Sequence, residues 1–408
     1  MVRRACLVAA LPFLMLSGTT SRAQASHGAR AANPTVWIDR YREPAARLIG
    51  EAVGSTFAWH RLAVLTDTIG NRLSGSPALD RAIQWAVGEM KRDGLENVHT
   101  ERVMVPRWVR GAESAEIVTP LQQPLMMLGL GDSVGTPSDG LRADVVIVHS
   151  FEELDAKASQ ARGRIVLFNV PFTTYGETVR FRSTGPARAA RHGAVAALVR
   201  AVGPPGLRTP HTGALQYASD APKIPAAAIA TEDADLLQRI ADRGERVTLR
   251  LKMDAHFEAD VESANVVGEI RGREKPEEIV VVSGHLDSWD VGAGATDDGG
   301  GCIVTWEALR LMRKLNLRPR RTVRVVLWTN EENGGRGGQG YRDQHDIGPS
   351  VQEAHIPAMS LDVDGSKYFL IHHTPADTID KIDPVEMAKC AAAVAVMSYV
   401  VADLPERL

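Results

Sequence analysis

Three groups of residues able to do chemistry each close a short apolar run. His285 and Asp287 close Ile279 to Gly284, and Asp297 and Asp298 follow across a glycine-rich loop. Glu331 and Glu332 close Val323 to Trp328 through Thr329 and Asn330, and His372, His373 and Asp377 follow Phe369 to Ile371. Two adjacent carboxylates repel each other unless a cation or a shared proton lies between them. Nitrogen and oxygen donors without a thiolate beside them suit zinc, or less often cobalt or manganese, in a catalytic site that keeps water in its shell. A lone H-x-D or a lone Glu-Glu reads as a solvated loop. All of them in order, each at the end of a β run, read as one metal centre.

The elements that must position these residues follow from pattern. The β-branched runs Ile279 to Val282 and Val323 to Trp328 predict buried strands, and Phe369 to Ile371 predicts a third strand end. After Gly299 to Gly301 the apolar positions Val304, Ala308, Leu311 and Leu315 predict a helix. Strand, acidic loop and helix in this order mark the edge where an α/β protein keeps its chemistry. Near the C-terminus Asp383 is a natural N-cap and Pro384 a natural first helical residue, with Met387, Cys390, Val394, Met397 and Val401 as one apolar stripe. The run Cys390 to Ala402 is short for a membrane span, so a core helix is expected.

The runs S-G-H-L-D-S-W-D-V-G-A-G-A-T-D-D-G-G-G, V-L-W-T-N-E-E-N-G-G and H-H-T-P-A-D-T, with S-Y-V-V-A-D beyond, resemble the co-catalytic zinc aminopeptidase family, and within it the carboxypeptidase Q-like branch. The similarity spans nearly the whole chain after its first residues. It implies an α/β fold: a mixed-sheet zinc exopeptidase domain with an inserted protease-associated domain. It also implies a site. His285 resembles a ligand of a first zinc, Asp297 the carboxylate bridging two ions, and Glu332 and His373 ligands of a second. Glu331 resembles the general base, and Asp287 the outer carboxylate that orients His285. The implied reaction is hydrolysis of short peptides by metal-activated water, without a covalent intermediate.

The sequence departs from the family between Glu332 and His373. The family carries there a strand with an E-S-D-like triplet, whose acid is the third protein ligand of the first zinc, but this chain runs from His345 to Asp346 as though that piece were missing. Two zinc ions are expected from the resemblance, and one if nothing replaces the acid. Asp343, His345, Asp346, Glu353, His355, Asp362 and Asp364 are the stand-ins considered, and loop acids are normally solvated. The alternative function is a catalytically impaired homologue that binds peptides. A mono-zinc hydrolase using Asp297, Glu332 and His373 lies between the two readings.

Taken in order, residues 1–25 predict a secretory signal: Arg3 and Arg4, an apolar core from Leu7 to Leu16, and Ala23-Gln24-Ala25 as the cleavage pattern. The expected location is secreted or periplasmic. Residues 26–125 and 253–408 are assigned to the peptidase domain, shortened between 345 and 346, and residues 126–252 to the protease-associated domain, with strands at Val145 to Val148, Ile165 to Phe168 and Val195 to Val199. No ligand-type cluster occurs in that insert, where His149, His192 and His211 are scattered. Trp108 is placed at a crevice between the domains. The formal net charge of −3 argues for no nucleic-acid partner. Of the 3 cysteines, Cys302 and Cys390 are read as buried thiols rather than a disulfide. Expected partners are short peptides and, from the resemblance, a second copy in a homodimer.

Overall fold

Strand Arg321–Trp328 is buried almost throughout, as a strand covered on both faces must be. It pairs antiparallel with Val261–Ile270 and parallel with Lys275–His285. Glu96–Val105 completes a four-stranded sheet in the order Glu96–Val105, Val261–Ile270, Arg321–Trp328, Lys275–His285. The structure, a computed structural model, describes residues 36–408, so the expected signal segment lies outside the described residues. The register sets His285 opposite Trp328, so these two strands end together and deliver their following residues to one edge.

Helices Val36–Val53, Phe57–Val64, Gly300–Lys314 and Pro384–Asp403 cover one face of this sheet, where Leu48, Leu62, Ile303, Trp306 and Leu309 pack with Val266, Val280, Val323 and Val325. Each such aliphatic side chain stabilises the fold by about 1.5–3 kcal/mol when fully buried. Trp306 is satisfied as well as packed: its indole donates to Asp93 Oδ2 at 2.9 Å, and the Arg61 guanidinium lies 4.3 Å above its ring. On the other face, Tyr341 of helix Arg336–Gln344 packs with Val267 and Val326. Val304, Ala308 and Leu311 are buried as predicted. So are Cys302, Ile303, Trp306, Leu309 and Met312, because the sheet and the C-terminal helix enclose Gly300–Lys314 from two sides.

The C-terminal helix begins as its sequence predicts, with Asp383 accepting from the amides of Val385 and Glu386 at 2.7 and 3.1 Å. Its buried face is wider than the predicted stripe: Met387 is buried, and Cys390, Val394 and Val401 pack partly buried against the core. Ala388, Ala391, Ala392, Ala395 and Ala402 face inward, where small side chains allow close approach to Val36–Val53 and Gly300–Lys314, while Met397 is 45% exposed. Val394, Met397 and Val401 also line a groove with Val280, Val282 and Met359, beside the outer edge of Lys275–His285. Among the described residues no strand pairs with that edge, which is the condition removal of a strand leaves behind. Residues 346–367 contain no helix or strand. By length and composition the C-terminal helix would also pass for a membrane span; in this fold it packs on both neighbouring helices and the sheet. Cys302 and Cys390 are free thiols, the first buried and the second partly exposed.

A second sheet of eight strands runs in the order Gln123–Leu125, Glu113–Thr119, Thr248–Met253, Leu141–Val148, Ile165–Phe168, Ala196–Arg200, Ala226–Ile229, Met127–Gly129. The middle of it is parallel, and its central strands are continuous apolar runs, as a sheet covered on both faces requires. This unit starts at Glu113, ahead of the expected boundary at 126. The entering strand Glu113–Thr119 and the leaving strand Thr248–Met253 are hydrogen-bonded neighbours, while the apolar texture that marks the insert in sequence begins only later. A two-stranded ribbon, Trp108–Val109 with His256–Phe257, joins the two units. Trp108 is buried there with Leu73, Ala255 and Trp289, and its indole donates to the carbonyl of Ser133 at 2.8 Å.

Candidate active site

His285, at the end of its strand, directs Nε2 at Asp297 Oδ1, 3.2 Å away. The other oxygen of Asp297 lies 3.2 Å from His373 Nε2 and 3.4 Å from His372 Nε2. Glu332 Oε2 is 3.2 Å from the same His373 Nε2, and Glu331 Oε2 is 3.9 Å from His285 Nε2. The two glutamates leave a turn rather than the strand itself. Glu332 is buried, and the Glu331 side chain stays 58% exposed at the rim. Of the six residues given roles from sequence, His285, Asp297, Glu331, Glu332 and His373 therefore converge, and His372 joins them. The expected strand Phe369 to Ile371 is instead a single helical turn, Tyr368–Ile371, because its short apolar run finds no neighbouring strand with which to share backbone hydrogen bonds.

Short-range contacts fix the His285 half. Its Nδ1 lies 3.0 Å from the backbone carbonyl of Asp287, closer than the 4.0 Å to the Asp287 carboxylate. That carboxylate accepts instead from the amides of Glu331 and Glu332, both at 3.1 Å. Asp287 thus orients His285 through its backbone and the glutamates through its side chain, which corrects the simpler expectation. Asp298 accepts from the His285 amide at 3.0 Å and Asp377 from the Asp297 amide at 3.0 Å. Arg72 is fully buried and donates to the carbonyls of Leu286, Ala293 and Gly294, clamping the loop between His285 and Asp297.

The His373 half is fixed from the second unit. Its Nδ1 lies 3.2 Å from the carbonyl of Thr212, whose amide in turn donates to the His373 carbonyl at 3.0 Å. The Arg182 guanidinium donates to the same Thr212 carbonyl at 3.2 Å and to the Tyr175 hydroxyl at 2.9 Å. Trp289, from the His285 loop, packs its ring edge-on to His373. It fits against the second unit only because residue 131 is glycine: a Cβ there would stand 1.9 Å from Trp289 Cη2.

Metal fits this cluster. With the carbonyls of Asp287 and Thr212 accepting from Nδ1 of His285 and His373, each ring offers Nε2, and each Nε2 faces a carboxylate oxygen. Something positive must lie between them, a second ring proton or a cation. Without a cation the charges are awkward. Burial, and then Asp297, push the Glu332 carboxyl up to about 7, and its Oε1 is buried with no hydrogen-bond partner. Burial raises Asp298 to about 6 and raises Asp287 and Asp377 as well. Burial opposes charge on His285, yet the hydrogen bond to Asp297 raises its pKa well above the usual imidazole range. Burial, and then His373, push His372 down and keep it neutral. A divalent cation reverses that balance, letting buried carboxylates ionise and imidazoles give up protons.

The seven stand-ins considered from sequence do not enter the cluster. Asp343, Asp346, Glu353, His355, Asp362 and Asp364 are exposed, and His345 bonds to Glu101 at 2.9 Å. Sequence reasoning also missed Arg72, Arg182 and Thr212, for which no local pattern exists. Asp377 carried a signal, as the acid of H-H-T-P-A-D, but no role was drawn from it.

The sequence matches Peptidase family M28 over residues 265–352. It is 43% identical over 430 residues to carboxypeptidase Q of Xenopus laevis, covering 91% of this chain and 92% of the relative, and 42% identical over 407 residues to that of Homo sapiens, covering 86% of each. The first of these spans is longer than the 408 residues of the chain itself, so the relative carries internal residues with no counterpart here. The crystal structure of a peptidase M28 precursor from Shewanella amazonensis superposes with a TM-score of 0.87 at 32% identity, over 91% of this chain and 98% of that one. The zinc aminopeptidase BSAP of Bacillus subtilis shares the fold, with a TM-score of 0.62 at 18% identity over 86% of this chain and 96% of its own. The chain therefore belongs to peptidase family M28, as a zinc metallopeptidase of the carboxypeptidase Q branch.

Proposed function

We propose that this protein is an exported zinc exopeptidase of aminopeptidase or dipeptidase type that hydrolyses short peptides. The observation that carries the reading is the set of imidazole Nε2 and carboxylate oxygens facing one another across Asp297, with the Nδ1 positions already held by backbone carbonyls. His285, Asp297, Glu332 and His373 would hold the metal. Zinc bound there supplies Lewis-acid polarisation of the scissile carbonyl and lowers the pKa of a water. Glu331, near the cluster and open to solvent, takes the proton of the attacking water on a carboxylate oxygen and passes it to the leaving amine nitrogen. Partial desolvation raises its pKa, which suits a group that must both accept and return a proton. Asp287 holds Glu331 and Glu332 in place through their amides.

The unit from Glu113 to Met253 we read as the protease-associated domain. Its place beside His373 and Trp289 supports a role in covering the cleft and selecting the peptide. Export rests on the signal pattern at residues 1–25. The test is turnover of dipeptides by the purified mature chain. Activity that disappears with a chelator and returns with zinc is expected, and a folded protein with no zinc-dependent turnover would favour the peptide-binding reading.

A further inference from the structure

The carried-over ligand set leaves the first ion with only His285 and Asp297, fewer than the three protein ligands usual for catalytic zinc. We infer that this chain divides its ligands differently, with His285, Asp297 and Glu332 around one ion and Asp297, His372 and His373 around the other, so that His372 makes good the acid the chain lacks. This rests on the zinc peptidase reading.

The geometry sorts the donors this way. In each of the two triads the ligand atoms lie within 4.8 Å of one another, and Asp297 is the member common to both. Its Oδ1 faces His285 and its Oδ2 faces both other imidazoles, the arrangement of a carboxylate that spans two cations. Glu332 Oε1 is buried without a hydrogen-bond partner, so the residue has an oxygen to give to the His285 side while Oε2 lies near His373.

The His372 ring packs among those of Tyr175, Tyr368 and Phe369, but its nitrogens face no partner other than Asp297. It is 5% exposed, its Nδ1 has no hydrogen-bond partner, and its Nε2 points at Asp297 Oδ2. Consecutive side chains on an extended segment point opposite ways. Here His373 takes φ +59°, which turns the chain so that both rings lie together, stacked with centroids 3.5 Å apart and planes 23° apart. The backbone bend is held from the second unit by the Thr212 amide.

The experiment uses the full mature protein loaded with cobalt in place of zinc. Proton NMR of the cobalt form should show exchangeable, hyperfine-shifted ring N–H resonances from three imidazoles, and two in His372→Gln. Metal content should fall from about two ions per chain in the wild type to about one in His372→Gln. Only two shifted ring resonances in the wild type, a reading that needs no variant, would overturn the assignment. So would a folded His372→Gln protein that keeps both ions. A wild type with both ions and three imidazole signals but no peptide turnover would overturn the hydrolase reading and leave this ligand set standing.

Discussion

The two halves of the metal cluster are built in different ways. His285 and Asp297 are positioned by neighbours in their own unit: Asp287, Asp298, Asp377 and the buried Arg72. His373 is positioned by Thr212, Thr212 by Arg182, and Arg182 by Tyr175, all from a unit inserted far away in sequence. The first half is held by contacts within the unit of the four-stranded sheet. The second depends on contacts that the inserted unit makes with Trp289 and His373.

The comparison breaks most sharply at Arg182. Replacing it with alanine leaves the Thr212 carbonyl with one fewer donor and frees His373 to turn. The expected result is zinc bound about 10–100-fold more weakly, as for loss of other outer partners of metal ligands, with Arg182→Lys in between. Competition against a chromophoric chelator measures this. Unchanged affinity in a folded Arg182→Ala protein would mean that the inserted unit merely sits beside the site.

A smaller effect is expected at Asp132, which belongs to the inserted unit and accepts from Asn333, next to Glu331 and Glu332 in sequence, at 3.4 Å. Burial pushes its carboxyl up to about 6, above the value of about 3.9 in an unfolded chain. As pH rises through that window the unfolded chain loses the proton first, so the folded state loses stability between about pH 4 and pH 6 and keeps it below. Asp132→Asn should remove this slope. Melting temperatures of wild type and variant that run parallel over the window would exclude the group as a source of pH dependence.

The same contrast explains what could be read in the sequence. His285, Asp297 and the two glutamates follow β-branched strands, and a strand end is visible from a few consecutive residues. Nothing local marks Thr212 as the partner of His373, because the two lie 161 residues apart in sequence. Phe369 to Ile371 was predicted as a strand because three apolar residues carry no period. The C-terminal stripe was drawn too narrow, and with Met397 wrongly included, for a related reason: its alanines look neutral in sequence, yet they are what lets two helices approach closely. Glu113–Thr119 lies ahead of the boundary read at 126 because that strand opens with Glu113, Ser114 and Glu116 and lacks the apolar texture of the strands after it.

The most direct measurement of the central claim is the Glu331→Gln variant, assayed for zinc content and dipeptide turnover in the same sample. Zinc equal to the wild type with kcat lower by about 10²–10⁴-fold is the predicted result, since Glu331 is placed to move a proton while the other residues hold metal. Turnover at the wild-type rate with zinc retained would contradict the account and remove Glu331 from the reaction.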